Sequence, residues 1–274
     1  MGRYFIYRMH PFSVSEILTD KIAENEIRKP QIIDNSSFEQ LLTFGGFPEP
    51  LLKADKRFYN RWRRLRTEQF FHEDIRDLTN VQEIAQLEIL AEILKNQTGQ
   101  LANYSTLANA INVSVDTIRR WIQVLENLYF CFCIKPWSSN VKKSLLKQPK
   151  IYLWDWTLCG NIGARNENFI ASHLLKAVHL WTDIGIGDYE LFYIRDKIKR
   201  EVDFLVTKNK IPWFLVEVKT SKDSLSPNLK FFQQQIKAEY AFQVTINMDY
   251  VDRDCFTESG PVIVPAKTFL SQLV

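Results

Sequence analysis

The amino-acid sequence predicts an α/β (α+β) fold, in which a helical part is followed by a mixed β-sheet flanked by helices. Two patterns predict it. Apolar residues recur at helical spacing between residues 56 and 127, whereas β-branched and aromatic runs alternate with amphipathic stretches after residue 150. Of the 274 residues, 46% are hydrophobic and 24% are charged, so the chain can bury a large core in one domain or two.

Composition limits the class of protein. A net charge of +3 does not by itself indicate nucleic-acid binding, because only clustered charge would do so. The four cysteines include no CxxC pair and are predicted to be buried, reduced thiols. The sequence shows neither a signal peptide nor an apolar run of about 18 residues. It therefore predicts a cytoplasmic protein with no membrane partner.

The first 40 residues contain few predicted elements. A short, aromatic, strand-like run precedes Pro11, and Ser13 or Ser15 is expected to cap the helix that follows. Residues 21–40 are polar and rich in turn formers, so they are predicted to form a loop or linker.

Residues 56–78 are predicted to form a helix with several arginines around an apolar stripe. The predicted stripe consists of Phe58, Trp62 and Leu65. The arginines are interpreted either as a solvated surface, whose stems cover apolar side chains, or as a face that contacts phosphates. In the second interpretation the candidate contacts are Arg61 and Arg64.

Residues 84–137 follow a helix, helix, helix, strand pattern. Ser105 is expected to cap a short helix over 106–111, and a second helix over 115–127 follows a tight turn, which fits a helix-turn-helix. The β-rich run after it resembles the wing of a winged-helix domain. Such a domain binds DNA or contacts a protein, and both alternatives are open. The candidate DNA contacts are Arg119 and Arg120.

The remaining sequence predicts the mixed sheet. Residues 138–150 are basic, and two candidate nucleic-acid contacts in this stretch are Lys143 and Lys147. Predicted strands cover 151–156, 191–196 and 242–248, a hairpin covers 199–221, helices cover 166–181 and 229–240, and a strand and a helix cover 261–273.

Three charged residues lie inside the predicted hairpin, where burial is expensive unless a charge is paired or binds a metal. Asp203 lies in the first strand, and Glu217 and Lys219 lie in the second. If the turn is centred on Asn209, Asp203 faces Leu215. Glu217 is then its diagonal neighbour on the same face, roughly 7–8 Å away, close enough for one cation to bridge the carboxylates. A bulge or a register shifted by one residue would change this arrangement.

The spacing Asp-x13-Glu-x-Lys resembles the PD-(D/E)XK nuclease superfamily. The resemblance implies a Mg²⁺ site, because hard oxygen ligands suit this ion, and a lysine that orients or deprotonates the attacking water. An acidic residue of the preceding helix often completes such a site, and Glu167 matches by position. The implied metal ligands are Asp203, Glu217 and Glu167, and Lys219 completes the catalytic set. Alternatively, Glu217 and Lys219 form a structural ion pair at a sheet edge.

The chain also resembles the C-terminal part of a prokaryotic family of predicted AAA-type ATPases. The stretches that carry the resemblance include GRYFIYRMHPFSVSEI, FGGFPEPLL, YSTLANAINVSVDTIRRWIQVLENLYF, REVDFLV and LVEVKTS. It implies a remnant of the ATPase module with a linker (1–40), a helical, winged-helix domain (41–137) and a PD-(D/E)XK nuclease-like domain (138–274). Because the chain contains no GxxxxGK[ST] loop, no ATP site is expected in it. The ATPase module is expected to be lost or to lie on a separate polypeptide.

Two functional hypotheses follow from these features. The first is a DNA-binding protein with a Mg²⁺-dependent nuclease-like domain. The second is a non-catalytic adaptor with a degenerate nuclease fold, which binds a partner protein such as a separate ATPase subunit. Convergence of the four polar side chains in one cleft favours the first hypothesis, and their dispersal favours the second.

Overall fold

Seven strands form one mixed β-sheet in the computed structural model, which describes residues 5–21, 24–75, 83–138, 148–221 and 224–274. The strands are β1 (Cys131–Pro136), β2 (Lys150–Leu153), β3 (Tyr189–Arg195), β4 (Glu201–Lys208), β5 (Ile211–Lys219), β6 (Tyr240–Thr245) and β7 (Pro261–Pro265). Their order across the sheet is β2-β1-β3-β4-β5-β6-β7. Neighbours are parallel between β1 and β3 and from β5 to β7, and antiparallel elsewhere.

Helices precede the sheet and also cover both of its faces, which confirms the predicted mixed α/β class. The described α-helices are α1 (Val14–Leu18), α2 (Asn35–Phe44), α3 (Pro48–Lys53), α4 (Lys56–Gln69), α5 (Ile84–Asn96), α6 (Tyr104–Ile111), α7 (Val115–Asn127), α8 (Ile162–Asp183), α9 (Pro227–Ile236) and α10 (Ala266–Ser271). Across the described ranges, no helix combines the length and the apolar character needed to cross a membrane.

The two faces of the sheet bury different clusters. Phe204 and Val216 pack with residues of α8, whereas Leu205, Leu215 and residues of α9 form a separate cluster. Because β4 and β5 are covered on both sides, their sequences are almost continuously apolar. The few charged residues in them are therefore conspicuous.

The helical part has a core of its own, and the first two strands share it. Leu90 of α5 and Trp121 of α7 pack in one cluster with Cys131 of β1 and Ile151 of β2. The helix-turn-helix formed by α6 and α7 is followed by β1, as the sequence predicts. The expected boundary between residues 137 and 138 falls between β1 and β2, which pair with each other. One sheet therefore extends across that position.

In the described part of the N-terminal segment, α1 and α2 are the helices that begin before residue 40. Ser13 caps α1 and forms a capping box with Glu16, so one of the two predicted caps is confirmed. The loop predicted over residues 21–40 is wrong for its last part, because the side chain of Asp34 caps α2 there.

The aromatic run before Pro11 is not a strand in the described part of the chain. No described strand pairs with it, and its large side chains are exposed: Phe5, Ile6, Tyr7 and Met9. The segment after it is attached to the sheet part by backbone hydrogen bonds. Val14 N donates to His173 Nε2 at 3.1 Å, and Arg28 N donates to Gln272 O at 2.8 Å.

Helix α4 buries a different residue from the predicted stripe. Tyr59 is its buried residue, and its hydroxyl lies 2.6 Å from Thr157 Oγ1 in the sheet part. Leu65, which was expected to be buried, is 55% exposed. The buried side of α4 is therefore displaced by one residue from the stripe that hydrophobic spacing predicts. Tyr59 can be buried there because its hydroxyl group has a hydrogen-bond partner.

Two helix ends also differ from the prediction. Asn103, not Ser105, caps α6, since its side-chain oxygen accepts from the backbone of the third helical residue. Helix α9 ends at Ile236 rather than Tyr240, because Lys237 adopts a left-handed conformation that stops the helix.

A two-residue turn joins β4 and β5. Asn209 and Lys210 both have positive φ, 52° and 67°, as a type I′ hairpin turn requires. One residue of β5 is then left over, because Thr207 pairs with Pro212 but Val206 pairs with Phe214. This bulge changes the register of the rest of the hairpin.

We predict that Lys210→Gly increases the free energy of unfolding by about 1 kcal/mol, because glycine adopts positive φ without the steric cost that a side chain has. Urea unfolding of both proteins measures the change. The matched control is Lys230→Gly on the exposed side of α9, which should lower the stability by about 1 kcal/mol. Equal losses at both positions would contradict the prediction.

Candidate functional site

The bulge in β5 determines which residues meet at the far end of the hairpin. Leu205 pairs with Leu215, so the same register places Asp203 opposite Glu217. The predicted pairing of Asp203 with Leu215 is therefore wrong, because the turn has two residues, Asn209 and Lys210, and β5 contains one bulged residue in addition. The backbone N–H of Val218 donates to Asp203 Oδ2 at 2.8 Å, which fixes that carboxylate against β5.

The ammonium group of Lys150 lies among three carboxylates. Its Nζ is 3.3 Å from Glu167 Oε1, 2.7 Å from Glu201 Oε1 and 3.9 Å from Asp203 Oδ1. The side chain of Lys150 is only 4% exposed, so these ion pairs are largely shielded from water. Sequence reasoning assigns Lys150 to a basic stretch, residues 138–150, and does not single out Glu201. No local signal distinguishes either residue, because each lies at the first position of its strand, where a charge is ordinary.

Glu167 is held at the edge of this cluster by α8. Because Asn161 caps α8, Glu167 lies in its second turn rather than in the predicted first turn. The hydroxyl of Tyr152 donates to Glu167 Oε1 at 2.6 Å. The neighbouring Asn166 donates to Thr220 Oγ1 at 3.0 Å, which connects α8 to the chain just after β5.

The carboxylate of Glu217 has two unlike oxygens. Lys219 Nζ donates to Oε1 at 3.0 Å. Oε2 is buried and finds no hydrogen-bond partner among the described residues. The side chain of Lys219 is 36% exposed, whereas that of Glu217 is 11% exposed. The pair therefore places an accessible ammonium next to a buried, partly unsatisfied carboxylate.

Burial and the charge of neighbouring carboxylates raise the pKa values of Asp203 and Glu217. Burial, followed by the charge of Glu167, raises the pKa of Asp203 to about 7. Burial, followed by the charge of Asp203, raises the pKa of Glu217 to about 7. Burial acts to lower the pKa of Lys150, but the charges of Glu167, Asp203 and Glu201 outweigh it and raise that pKa. Lys150 therefore stays protonated beside these carboxyl groups.

Of the predicted site residues, Glu167 and Asp203 thus lie against Lys150, whereas Glu217 lies opposite Asp203 and pairs with Lys219. The described residues include no group of three or more His, Cys, Asp or Glu side chains arranged to hold a metal ion. The position between Glu167 and Asp203 is taken by Lys150 Nζ. The assignment of Asp203, Glu217 and Glu167 as metal ligands stays a prediction.

The predicted nucleic-acid contacts lie on the helical part. Arg119 and Arg120 are exposed on α7, and Arg119 Nη1 is 2.7 Å from Asp116 Oδ1. Arg61 and Arg64 are exposed on α4. Two further candidates lie outside the described residues: Lys143 and Lys147.

The surface around Arg64 is not uniformly basic. Arg64 lines a cleft of about 810 Å³ together with Glu88 and Glu92 of α5 and Lys95. Carboxylates in this cleft would repel a phosphate backbone. The solvated-surface interpretation of α4 therefore suits the Arg64 side of the helix better than phosphate binding does.

Comparison with known proteins finds two domain families that each match part of the chain. Residues 35–168 match the domain of unknown function DUF8612, and residues 162–269 match the domain of unknown function DUF4143. Neither description names an ATPase or a nuclease. Of the expected resemblance to the AAA-type ATPase family, the comparison supports only the match of residues 162–269 to a domain of unknown function. The two matches overlap in the first turns of α8, which include Glu167.

Curated proteins similar to this chain are longer than it is. The uncharacterized proteins Mb2031c of Mycobacterium bovis and Rv2008c of Mycobacterium tuberculosis are each 22% identical over 205 residues, which cover 72% of this chain and 46% of the relative. The uncharacterized protein MJ1544 of Methanocaldococcus jannaschii is 22% identical over 210 residues, with 72% and 45% covered. The chain thus spans about half the length of the curated relatives it matches. No solved structure matches it.

We predict that Glu217→Gln changes how stability depends on pH in metal-free buffer. The pKa of Glu217 is about 7 in the folded protein and near 4.5 ordinarily, so the folded state binds more protons than the unfolded state between these values. Its contribution is therefore complete below pH 4.5 and is lost as pH rises through 7. The free energy of unfolding of the parent, minus that of the variant, should fall on the order of 3 kcal/mol across this range.

Urea unfolding at several pH values, with EDTA present, measures this difference. Glu190→Gln, which removes an exposed carboxylate from β3, is the matched control. A difference that rises with pH, or one that equals the control at every pH, would contradict the assignment of a buried, poorly ionised carboxyl group to Glu217.

Proposed function

We propose that this chain is a cytoplasmic DNA-binding protein whose sheet part cleaves phosphodiester bonds with the help of Mg²⁺. The observation that carries the proposal is the unsatisfied Oε2 of Glu217, a buried acidic oxygen opposite Asp203 and beside Lys219. A buried acceptor without a hydrogen bond is costly. A hard cation at this oxygen would offset that cost, and carboxylate oxygens are the ligands that Mg²⁺ prefers.

Asp203 and Glu217 would hold the cation, and Glu167 would stand behind them. When bound, Mg²⁺ would polarise the phosphodiester and acidify a water molecule. Lys219 is accessible enough to contact an attacking water or a phosphate oxygen while its ammonium stays near Glu217. Asp203 is oriented by the backbone N–H of Val218, so its carboxylate has little freedom to turn away.

The exposed arginines of α7 would position the nucleic acid. Ser114 caps α7, and Arg119 and Arg120 follow within its first two turns. In a helix-turn-helix this end of the second helix is the one that enters the major groove. Phosphate contacts from these side chains would bind duplex DNA without a strict sequence requirement.

A second candidate function is a non-catalytic adaptor that binds a partner protein, such as a separate ATPase subunit. Lys150 favours this alternative, because its ammonium already neutralises part of the negative charge that a metal would otherwise balance. A degenerate nuclease fold would have such a substitute charge in its former metal site. The two candidates differ in whether the parent protein cleaves DNA.

We predict that Lys219→Ala lowers Mg²⁺-dependent nicking of supercoiled plasmid by about 100-fold or more, which is the usual size of an acid–base or charge-stabilising contribution. The melting temperature in EDTA should change little or increase, because the variant relieves a crowded, partly desolvated charge. Gel assays of nicking and thermal melts check both results, with Lys230→Ala on α9 as the matched loss of one positive charge.

A structural ion pair would behave differently. If Lys219 only balances Glu217, its removal strands a buried carboxylate at a cost of about 3–5 kcal/mol. A large loss of stability, together with no nicking by the parent protein, would support the adaptor.

We predict that replacing Arg119 and Arg120 with Ala weakens duplex binding and lowers its salt dependence. Each lost phosphate contact should reduce the slope of log K against log salt by about 0.9. Fluorescence anisotropy with a labelled duplex, at several salt concentrations, measures the slope. Arg61→Ala with Arg64→Ala serves as the comparison on α4. A slope that is the same in the parent and the α7 variant would remove α7 from the DNA interface.

A further inference from the structure

The acidic side chains of the site fall into two groups according to their partners. Glu167 receives hydrogen bonds from Tyr152 and Lys150. Glu201 receives Lys150 at one oxygen and, at 2.6 Å, Arg195 Nη1 at the other. These two residues form an inner group, whose negative charge is already matched by cations of the chain. Glu217 forms the outer group, because its Oε2 has no partner in the described part of the chain.

Asp203 lies between the two groups. Its Oδ1 is 3.9 Å from Lys150 Nζ, and its Oδ2 accepts from the backbone of Val218. One carboxylate therefore contacts the ammonium on one side and the outer strand on the other. The inner position is therefore occupied by a monovalent cation that belongs to the protein itself, the ammonium group of Lys150.

Resting on the proposed function, we propose that Lys150 is a built-in cation that fills the inner half of the site and limits the protein to one divalent cation, held by Asp203 and by Oε2 of Glu217. Lys150 is then a positioning residue. It fixes Glu167 and Glu201 through ion pairs, and it leaves Glu217 to the metal.

The physical reason is repulsion between like charges at short range. A second divalent ion among Glu167, Glu201 and Asp203 would lie within a few ångströms of the ammonium, where low dielectric strengthens the repulsion. Lys150 is 3% exposed, so its ammonium group can reach water only if the start of β2 moves. A second ion could therefore bind only if the ammonium were removed.

The test counts bound ions and does not depend on cleavage. Isothermal titration with Mn²⁺ should give one ion per chain for the parent and two for Lys150→Met, because the variant frees the inner carboxylates. Lys150→Arg keeps the charge and should still bind one. In thermal melts, Lys150→Met should lose stability in EDTA and recover more of it on Mn²⁺ addition than the parent gains.

A second buried lysine provides the control. Lys176 is 8% exposed and bonds to the carboxylate of Glu16 and to the carbonyl of Pro11, away from the site. Lys176→Met should also lose stability, but Mn²⁺ should restore no more of it than in the parent. If Lys150→Met is not folded with or without Mn²⁺, the double variant Lys150→Met with Glu201→Gln removes one charge of each sign and should still bind a second ion.

The outcomes separate this inference from the proposed function. One ion in the parent and the same single ion in Lys150→Met, or in the double variant where it is needed, would overturn the role of Lys150 and leave the proposed function intact. No ion in the parent but one in the variant would support Lys150 as the substitute cation and favour the adaptor. No ion in either protein would overturn both.

Discussion

The ion pairs of Lys150 are the interaction on which the candidate site depends, because they allow three acidic side chains to share one buried region. Glu167 comes from α8, and Glu201 and Asp203 come from β4, whereas Lys150 starts β2. In the sheet, β2 and β4 are separated by β1 and β3. A single ammonium group therefore connects elements that share no backbone hydrogen bonds. Without it, the negative charges would have to be protonated or lie apart.

The position of these charges depends in turn on an irregularity in the hairpin. If β4 and β5 kept the register of Thr207 with Pro212 without a bulge, Asp203 would lie opposite Val216. The extra residue of β5 shifts the pairing by one and brings Asp203 opposite Glu217. Because side chains alternate between the faces of a strand, such a shift changes which groups meet. The geometry of the candidate site therefore depends on the bulge as well as on the carboxylates.

The sequence predicts the elements better than their contacts. Helices with strong apolar spacing, such as α7, and the hairpin with its Asn209 turn can be predicted because their signals are local. Asp203, Glu217 and Lys219 are noticeable because charges are rare in strands that are otherwise apolar. Lys150 and Glu201 are not, since each lies at the first residue of its strand, where a charged residue is ordinary. Their importance arises only from tertiary contacts.

Contacts of the N-terminal segment make the sheet part dependent on residues far from it in sequence. Val14 and Ile33 belong to the same core cluster as α8 and α10, and Val14 N satisfies the buried Nε2 of His173. β1, which precedes residue 138, also belongs to the sheet. A fragment that starts at residue 138 would lose a strand, leave an apolar surface open and leave a buried imidazole nitrogen without its donor. The region from residue 138 onward is therefore not an autonomous module that could be transferred between proteins by exchanging its contiguous sequence.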